Sequence, residues 1–199
     1  MTVTALDWNQ WRNDYDEMSF ADHQAFNAEA ARLHPEQRCW DAEACATFLE
    51  ERRPASVVEL GGWDGSLAAE MLARFPSIRS WTNFDITPDV PQACDDPRYL
   101  RRVLTNWPWR LAPKADALVA SHVFEHMRMR EVEWLLDRWD VDSVYVDIPI
   151  SGPPNWDGYT GSHIIEAGVG EFLTRMDALG FDIAHSAPGL IAYLDRRPS

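Results

Sequence analysis

The chain has 199 residues, 46% hydrophobic and 25% charged, which is ordinary for a single globular domain. Its 32 acidic and 18 basic side chains give a net charge of -14, which argues against unaided binding to nucleic acid, because that binding needs cationic contacts to phosphates. No apolar run reaches the length of a membrane span, and no basic-then-apolar signal opens the chain, so we expect a cytoplasmic protein with a small-molecule partner and no membrane partner.

Residues 1–35 show no strand pattern, and residues 28–33 have a helical one. We expect this segment to form a helical arm, which either covers a ligand cleft as a lid or extends the core. Residues 36–199 are expected to form the main domain. Its first helix is predicted over residues 36–53, because Trp40, Ala44 and Phe48 recur at four-residue spacing and a proline follows.

The next segment changes from a β-branched run at residues 57–60 to glycines at positions 61, 62 and 65, and then to a helical pattern. A strand, a tight glycine turn and a helix form the first unit of a doubly wound α/β sheet, where the turn lies at the ligand-binding edge. Twenty positions after Gly65, a second predicted strand ends in Asp85, whose carboxylate can accept both hydroxyls of a ribose. The pattern therefore predicts an adenosine-type cofactor, and its alternative is a turn that binds nothing.

Two residues in the turn indicate which cofactor it is. Trp63 occupies the position where a dinucleotide fingerprint needs its middle glycine, so a close pyrophosphate is disfavoured. Glu59 would repel a phosphate but attract an ammonium group. The run from Glu59 to Gly65 resembles the first motif of class I S-adenosylmethionine-dependent methyltransferases, apart from Trp63. The resemblance implies that S-adenosylmethionine is held by residues at this edge: Glu59, Gly61, Gly62, Trp63, Gly65, Asp85 and Ile86.

A third strand is predicted over residues 100–104 and leads into Asn106 and Trp107. In the resembled family a polar residue here hydrogen-bonds the adenine amino group. Asn106 would do so through its side-chain oxygen, and Trp107 would stack on the ring. The alternative is an asparagine in a turn beside a surface tryptophan.

A fourth strand, predicted over residues 115–121, ends in Ser121 and is followed by His122, Glu125 and His126. This is a second match to the family, in which the strand ends in Ser or Asn before a Glu-His pair, and it implies that Ser121 also borders the cofactor. Residues at this spacing share a face if they lie on a helix. The pattern is similar to that of metal-assisted O-methyltransferases of ubiquinone synthesis and of small-RNA 2′-O-methylation, although His122 replaces a Glu.

That similarity implies a divalent metal held by His122, Glu125 and His126, with His163 completing the set. The alternative is that the Glu-His pair only caps and packs a helix. In that case His163 or His122 would act as a catalytic general base without a metal. The histidines are therefore candidates for either role.

The rest of the chain predicts a helix over 130–139, a strand over 141–148, a loop over 151–162, a helix over 169–179 and a terminal hairpin over 181–194. Trp156 and Tyr159 in the loop are expected to wall the acceptor site. Five parallel strands before an antiparallel hairpin is the topology of the resembled family. We therefore expect an α/β, Rossmann-like, doubly wound sheet of seven strands with helices on both faces.

The resemblance covers about residues 37–197 and implies methyl transfer to an oxygen or nitrogen of a small molecule. One alternative is a binding protein that kept this fold and lost the chemistry. The other is a metal-dependent 2′-O-methyltransferase acting on nucleic acid, which the acidic charge disfavours. The oligomeric state cannot be inferred from the sequence.

Overall fold

The computed structural model describes residues 19–33, 41–88, 90–148, 168–187 and 191–198. Within these ranges the chain alternates between helices and strands. The helices are α1 (Phe20–Leu33), α2 (Ala42–Arg52), α3 (Ser66–Arg74), α4 (Met129–Arg138) and α5 (Val169–Ala178). The strands are β1 (Ser56–Leu60), β2 (Ser80–Asp85), β3 (Tyr99–Val103), β4 (Lys114–Ser121), β5 (Asp140–Asp147), β6 (Phe181–Ala187) and β7 (Ile191–Arg196). Short 3-10 turns span Pro108–Arg110 and Phe124–His126.

All these strands join one seven-stranded sheet in the order β3-β2-β1-β4-β5-β7-β6. Strands β1 to β5 pair in parallel, whereas β7 runs antiparallel to both β5 and β6. The predicted mixed sheet with a C-terminal antiparallel hairpin is therefore confirmed. The strand order reverses between β1 and β4, and ligands bind at such a switch point in open α/β sheets.

Helices cover both faces of the sheet, because the central strands are apolar on both sides. On one face, α2 and α3 bury Phe48, Leu67 and Met71 against the sheet. On the other face, α4 and α5 bury a larger cluster that includes Leu135 and Phe172. The two apolar layers hold the strands in register, so the carboxyl ends of β1 to β5 meet at a single edge.

Local chemistry sets the bounds of α2. The side chain of Asp41 accepts a hydrogen bond from the amide of Ala44 at 2.9 Å, which caps the first turn. At the other end Arg53 adopts a left-handed conformation (φ 49°) and its amide bonds the carbonyl of Leu49, so the helix ends before the proline that was expected to stop it. Among the described residues, no helix combines the length and apolarity needed to cross a membrane.

Candidate active site

The turn between β1 and α3 is tight because its glycines are packed against neighbouring strands. Gly61 and Gly65 have φ values of 71° and 81°, a region that favours glycine. A Cβ atom on Gly61 would lie 2.3 Å from a methyl carbon of Val123, and one on Gly65 would lie 2.5 Å from the hydroxyl of Tyr99. Neither position has room for a side chain, so the turn lies directly against β3 and the segment that follows β4.

The middle of the turn is held from beneath by polar side chains of β2 and β3. Trp63 adopts a left-handed conformation with φ 48°. Its amide donates to Oδ2 of Asp85 at 2.8 Å, and its carbonyl accepts from Nε of Arg101 at 3.0 Å and from Nδ2 of Asn83 at 3.4 Å. The amide of Gly62 donates to Oδ1 of Asn83 at 3.0 Å. Both polar backbone groups of Trp63 are therefore fixed, which explains how a tryptophan is held in this conformation.

Asp85 ends β2 as predicted, but its carboxylate points inward. Only 4% of the residue is exposed, and its Oδ1 accepts the amide of Thr87 at 2.7 Å while Oδ2 accepts that of Trp63. Nη2 of Arg101 lies 3.8 Å from Oδ1, and this guanidinium also donates to the carbonyls of Thr87 and Pro88. The expected ribose contact of Asp85 stays a prediction, since both oxygens already bind the protein itself.

Glu59 lies beneath the turn and not at its surface. The residue is 2% exposed, and its Oε2 accepts a hydrogen bond from the indole of Trp81 at 2.8 Å. A Cβ atom on Gly62 would lie 2.2 Å from its carboxyl carbon. Burial raises the pKa of Glu59 to about 8, against the hydrogen bond from Trp81 and together with the charges of Asp85 and Asp64. The contact of Glu59 with an ammonium group stays a prediction. In the structure this side chain packs against the turn from beneath.

His122, the residue that follows β4, lies between the carboxylates of Glu125 and Asp147. This residue has φ 53°, and its amide donates to the carbonyl of Asp147 at 2.8 Å. Its Nδ1 lies 3.3 Å from Oε1 of Glu125, and its Nε2 lies 3.8 Å from Oδ1 of Asp147. Burial by itself lowers the pKa of His122, but the hydrogen bond with Glu125 and the charges of both carboxylates raise it above its usual value. The imidazole is 31% exposed, so a ligand can reach it.

The expectation that His122, Glu125 and His126 share one helical face is wrong. A 3-10 turn covers only Phe124–His126, and His122 precedes it in a left-handed conformation that cannot belong to a right-handed helix. The cause is the hydrogen bond to Asp147, which continues the pairing with β5 and keeps His122 out of the turn. His126 Nε2 lies 4.0 Å from Glu125 Oε1.

Within the described ranges, no group of three or more His, Cys, Asp or Glu side chains is arranged to hold a metal ion. The expected fourth ligand, His163, lies outside the described residues, as do Trp156 and Tyr159. The metal site and the walls of the acceptor site therefore stay predictions.

Asp147 joins three elements at this edge. Its Oδ2 accepts the hydroxyl of Ser121 at 3.2 Å and the amide of Asp41 at 3.3 Å. It thereby connects the ends of β4 and β5 to the beginning of α2. Burial raises the pKa of Asp147, although the neighbouring His122 opposes that shift. Ser121 is half-buried and lies beside His122, at the edge where the sequence predicts a ligand.

Helix α1 lies over the carboxyl ends of β2 and β3. Gln24 Nε2 donates to the carbonyls of Ile86 at 3.0 Å and Leu104 at 2.9 Å. The ring of Trp107 meets Phe20 edge-on at 5.2 Å and His23 at 5.0 Å. This helix therefore borders the region where the sequence predicts an adenine ring.

The predicted adenine contacts have different surroundings in this region. Asn106 is exposed, and its Oδ1 accepts the amide of Trp107 at 2.9 Å, so the oxygen expected to bind adenine is engaged in a local turn. Trp107 and Ile86 are half-buried. Their roles toward a cofactor stay predictions.

Sequence reasoning missed Asn83, Arg101 and Gln24. Asn83 is fully buried and the side chain of Arg101 is only 9% exposed, and each lies two positions along its strand from a buried aromatic residue, Trp81 or Tyr99. A polar residue at an inward position of a buried strand needs a hydrogen-bonding partner. The presence of Asn83 and Arg101 within predicted strands could therefore have indicated that they bind a neighbouring segment. Gln24 gives no such signal, because both of its bonds cross to residues more than sixty positions away.

The residues of this edge fit a cationic adenosyl ligand in part. The turn exposes glycine backbone at the switch point. The half-buried carboxylate of Asp64 and the buried carboxylates of Glu125 and Asp147 add negative charge, which favours a ligand that carries sulfonium and ammonium charges. Two features differ from the usual pattern, because Trp63 replaces the middle glycine of the turn and the carboxylate of Asp85 points inward.

Solved methyltransferases share this fold. Mitomycin 7-O-methyltransferase MmcR superposes with a TM-score of 0.63 at 17% identity, over 96% of this chain and 67% of that one. Human N-acetylserotonin methyltransferase in complex with SAM gives 0.63 at 18% identity, over 99% of this chain and 61% of that one. The methyltransferase domain of bacterial CtHen1 gives 0.55 at 14% identity, over 77% of this chain and 96% of that one.

The chain thus spans about two thirds of the length of the first two structures. No model of a known protein family matches the sequence, and no curated protein matches it. At identities this low the likeness establishes the fold, and the function has to be argued from the site.

Proposed function

We propose that this protein is an S-adenosylmethionine-dependent methyltransferase that acts on an oxygen or a nitrogen of a small molecule. The observation that carries the proposal is the tight glycine turn at the switch point of a sheet with the order β3-β2-β1-β4-β5-β7-β6. Methyltransferases are among the solved structures with this fold, which supports the proposal. The acidic edge around the turn is complementary to a cationic cofactor.

The bound cofactor would supply a methyl group already activated by a sulfonium, so the protein has mainly to align the reactants and exclude water. Glu59 and Asp85 position the turn from beneath, and α1 covers the far end of the same edge. The residues that would border the cofactor are Gly61, Gly62, Trp63, Gly65, Ile86, Asn106, Trp107 and Ser121.

An acceptor hydroxyl or ammonium must lose its proton, and His122 is the described side chain suited to take it. Its imidazole lies between the carboxylates of Glu125 and Asp147, which stabilise the protonated form. His163 is proposed as a second candidate base, and Trp156 and Tyr159 as acceptor contacts. These three follow from the sequence alone.

We also propose that a divalent metal binds at the same edge, with His122, Glu125, His126 and His163 as its ligands. The donors among the described residues do not form such a site by themselves. Chelation separates the two roles of His122. Activity that survives EDTA supports the base, whereas activity lost to EDTA and restored by a divalent ion supports the ligand role.

A second candidate function is a binding protein that kept the fold without turnover. Two features favour it: Trp63 stands where the family pattern has its middle glycine, and both oxygens of Asp85 accept backbone amides of the protein itself. This candidate predicts that Trp63→Gly does not restore methyl transfer.

A nucleic-acid substrate remains disfavoured by the net charge of -14.

Thermal unfolding with added ligands tests the proposal before any acceptor is known. A ligand at 100 times its Kd stabilises the folded state by about 2.7 kcal/mol, which raises Tm by about 5–10 °C in a domain of this size. We expect this shift with S-adenosylmethionine and S-adenosylhomocysteine and none with NAD, whose pyrophosphate does not fit beside Trp63. A shift with NAD alone, or none with either sulfur ligand, would refute the proposal.

A further inference from the structure

Three buried side chains, which we call the turn clamp (Asn83, Asp85 and Arg101), hold the backbone of Trp63. Asp85 accepts its amide at 2.8 Å, and Arg101 and Asn83 donate to its carbonyl at 3.0 and 3.4 Å. These bonds lie within the protein and form without a ligand. The clamp thus fixes the residue that stands where the family pattern has its middle glycine.

The clamp is closed to solvent. Asn83 is fully buried, Asp85 is 4% exposed and the side chain of Arg101 is 9% exposed. A ribose hydroxyl must come within about 3 Å of a carboxylate oxygen to bond it. If Asp85 turned outward to meet a ribose, the amides of Trp63 and Thr87 would lose their acceptor.

The negative charge of Asp85 is also balanced by the guanidinium of Arg101 inside the protein. Nη2 of Arg101 lies 3.8 Å from its Oδ1, and the same guanidinium is fixed by the carbonyls of Trp63, Thr87 and Pro88. An Arg held by so many acceptors cannot swing away to release the carboxylate. Arg101 therefore keeps Asp85 in its inward position.

From these contacts we infer that Asp85 is a positioning residue that anchors the turn, and that it does not bind the ribose hydroxyls of the adenosyl ligand. The inference rests on the proposed function for the identity of the ligand. The anchoring itself concerns contacts that are present without any ligand. Loss of a 2′- or 3′-hydroxyl from the ligand would then change its affinity equally in the native protein and in a variant without the Asp85 carboxylate.

The first experiment compares ligands by calorimetric titration of the native protein and of Asp85→Asn. The probes are S-adenosylhomocysteine and its 2′-deoxy and 3′-deoxy analogues. We expect the ratios of the three Kd values to agree within about threefold between the native protein and Asp85→Asn. A loss of tenfold or more for either analogue in the native protein, abolished in the variant, would overturn the inference.

The second experiment needs no ligand. In Asp85→Asn one acceptor oxygen becomes an amide donor, so hydrogen exchange should accelerate at least tenfold at the amide of Trp63 or of Thr87, whichever loses its acceptor. The matched control is Asp140→Asn, which changes an exposed carboxylate paired with Lys114 at the amino end of β5. Unchanged exchange in Asp85→Asn would overturn the inference.

The two experiments distinguish a failure of the proposed function from a failure of the inference about Asp85. If S-adenosylhomocysteine itself does not bind the folded protein, the proposed function fails, and the exchange experiment still decides whether Asp85 anchors the turn.

Discussion

The buried carboxyl of Glu59 gives the structure its clearest pH dependence. The pKa of this group is about 8 in the folded protein, compared with an ordinary value of 4.5. Between these values the unfolded chain has lost the proton and the folded chain keeps it. Each pH unit in that range therefore lowers the free energy of unfolding by about 1.4 kcal/mol. The total is at most about 5 kcal/mol by this arithmetic.

The perturbation is Glu59→Gln, which is neutral at every pH and keeps an oxygen to accept the indole of Trp81. Any fixed effect of the amide is independent of pH. The difference in unfolding free energy between variant and native protein should therefore grow in favour of the variant from pH 5 to pH 8. We expect a change of at least about 2 kcal/mol over that range, allowing for relaxation around the charged form.

Urea unfolding followed by circular dichroism at pH 5, 6, 7 and 8 measures this difference. The matched control is Glu50→Gln, which makes the same chemical change at an exposed position of α2. Its difference from the native protein should stay flat across the pH range. A flat difference for Glu59→Gln as well would refute the reasoning, because it would mean that Glu59 is not protonated in the folded state.

The remaining predictions concern the turn, the arm and the imidazole. Gly62→Ala places a Cβ 2.2 Å from the carboxyl carbon of Glu59, so urea unfolding should show a loss of about 1–3 kcal/mol. Gln24→Ala removes both bonds that this side chain donates to the sheet edge, so hydrogen exchange in α1 should accelerate by tenfold or more. His122→Asn keeps a residue that tolerates φ 53° but removes the base, so methyl transfer to an identified acceptor should fall about 100-fold while Tm changes little.

Each of these changes has its own contradicting outcome. Gly170→Ala, where a Cβ meets open space, is the control for Gly62→Ala, and equal stability of the two variants would mean that the turn is looser than described. Unaltered exchange in α1 after Gln24→Ala would show that the arm is held by other contacts. Undiminished methyl transfer by His122→Asn would mean that another residue acts as the base.

The sequence predicted the elements whose chemistry is local. The β-branched run before Gly61 identified β1, and the spacing of acids and glycines indicated the edge where we propose that a ligand binds. The seven-stranded sheet was predicted from the order of such segments together with the topology of the resembled family. These features depend on neighbours in the chain, which a single sequence displays.

The sequence could not predict which polar groups would be satisfied inside the protein. Asp85 at a strand end has the pattern of a ribose acceptor, but pairing of β2 with β3 brings Arg101 beside it and turns it inward. The same limit applies to His122, since the carbonyl of Asp147 that displaces it from a helix comes from another strand. Both outcomes depend on register between strands distant in the chain.

Calorimetric titration of the native protein with S-adenosylmethionine and S-adenosylhomocysteine, alongside Gly62→Ala, tests the central claim most directly. We predict one site per chain with a micromolar Kd for both ligands in the native protein, and a Kd at least tenfold weaker in the variant. Absence of heat from folded native protein with either ligand would contradict the account, and the chain would then be a binding module with a methyltransferase fold.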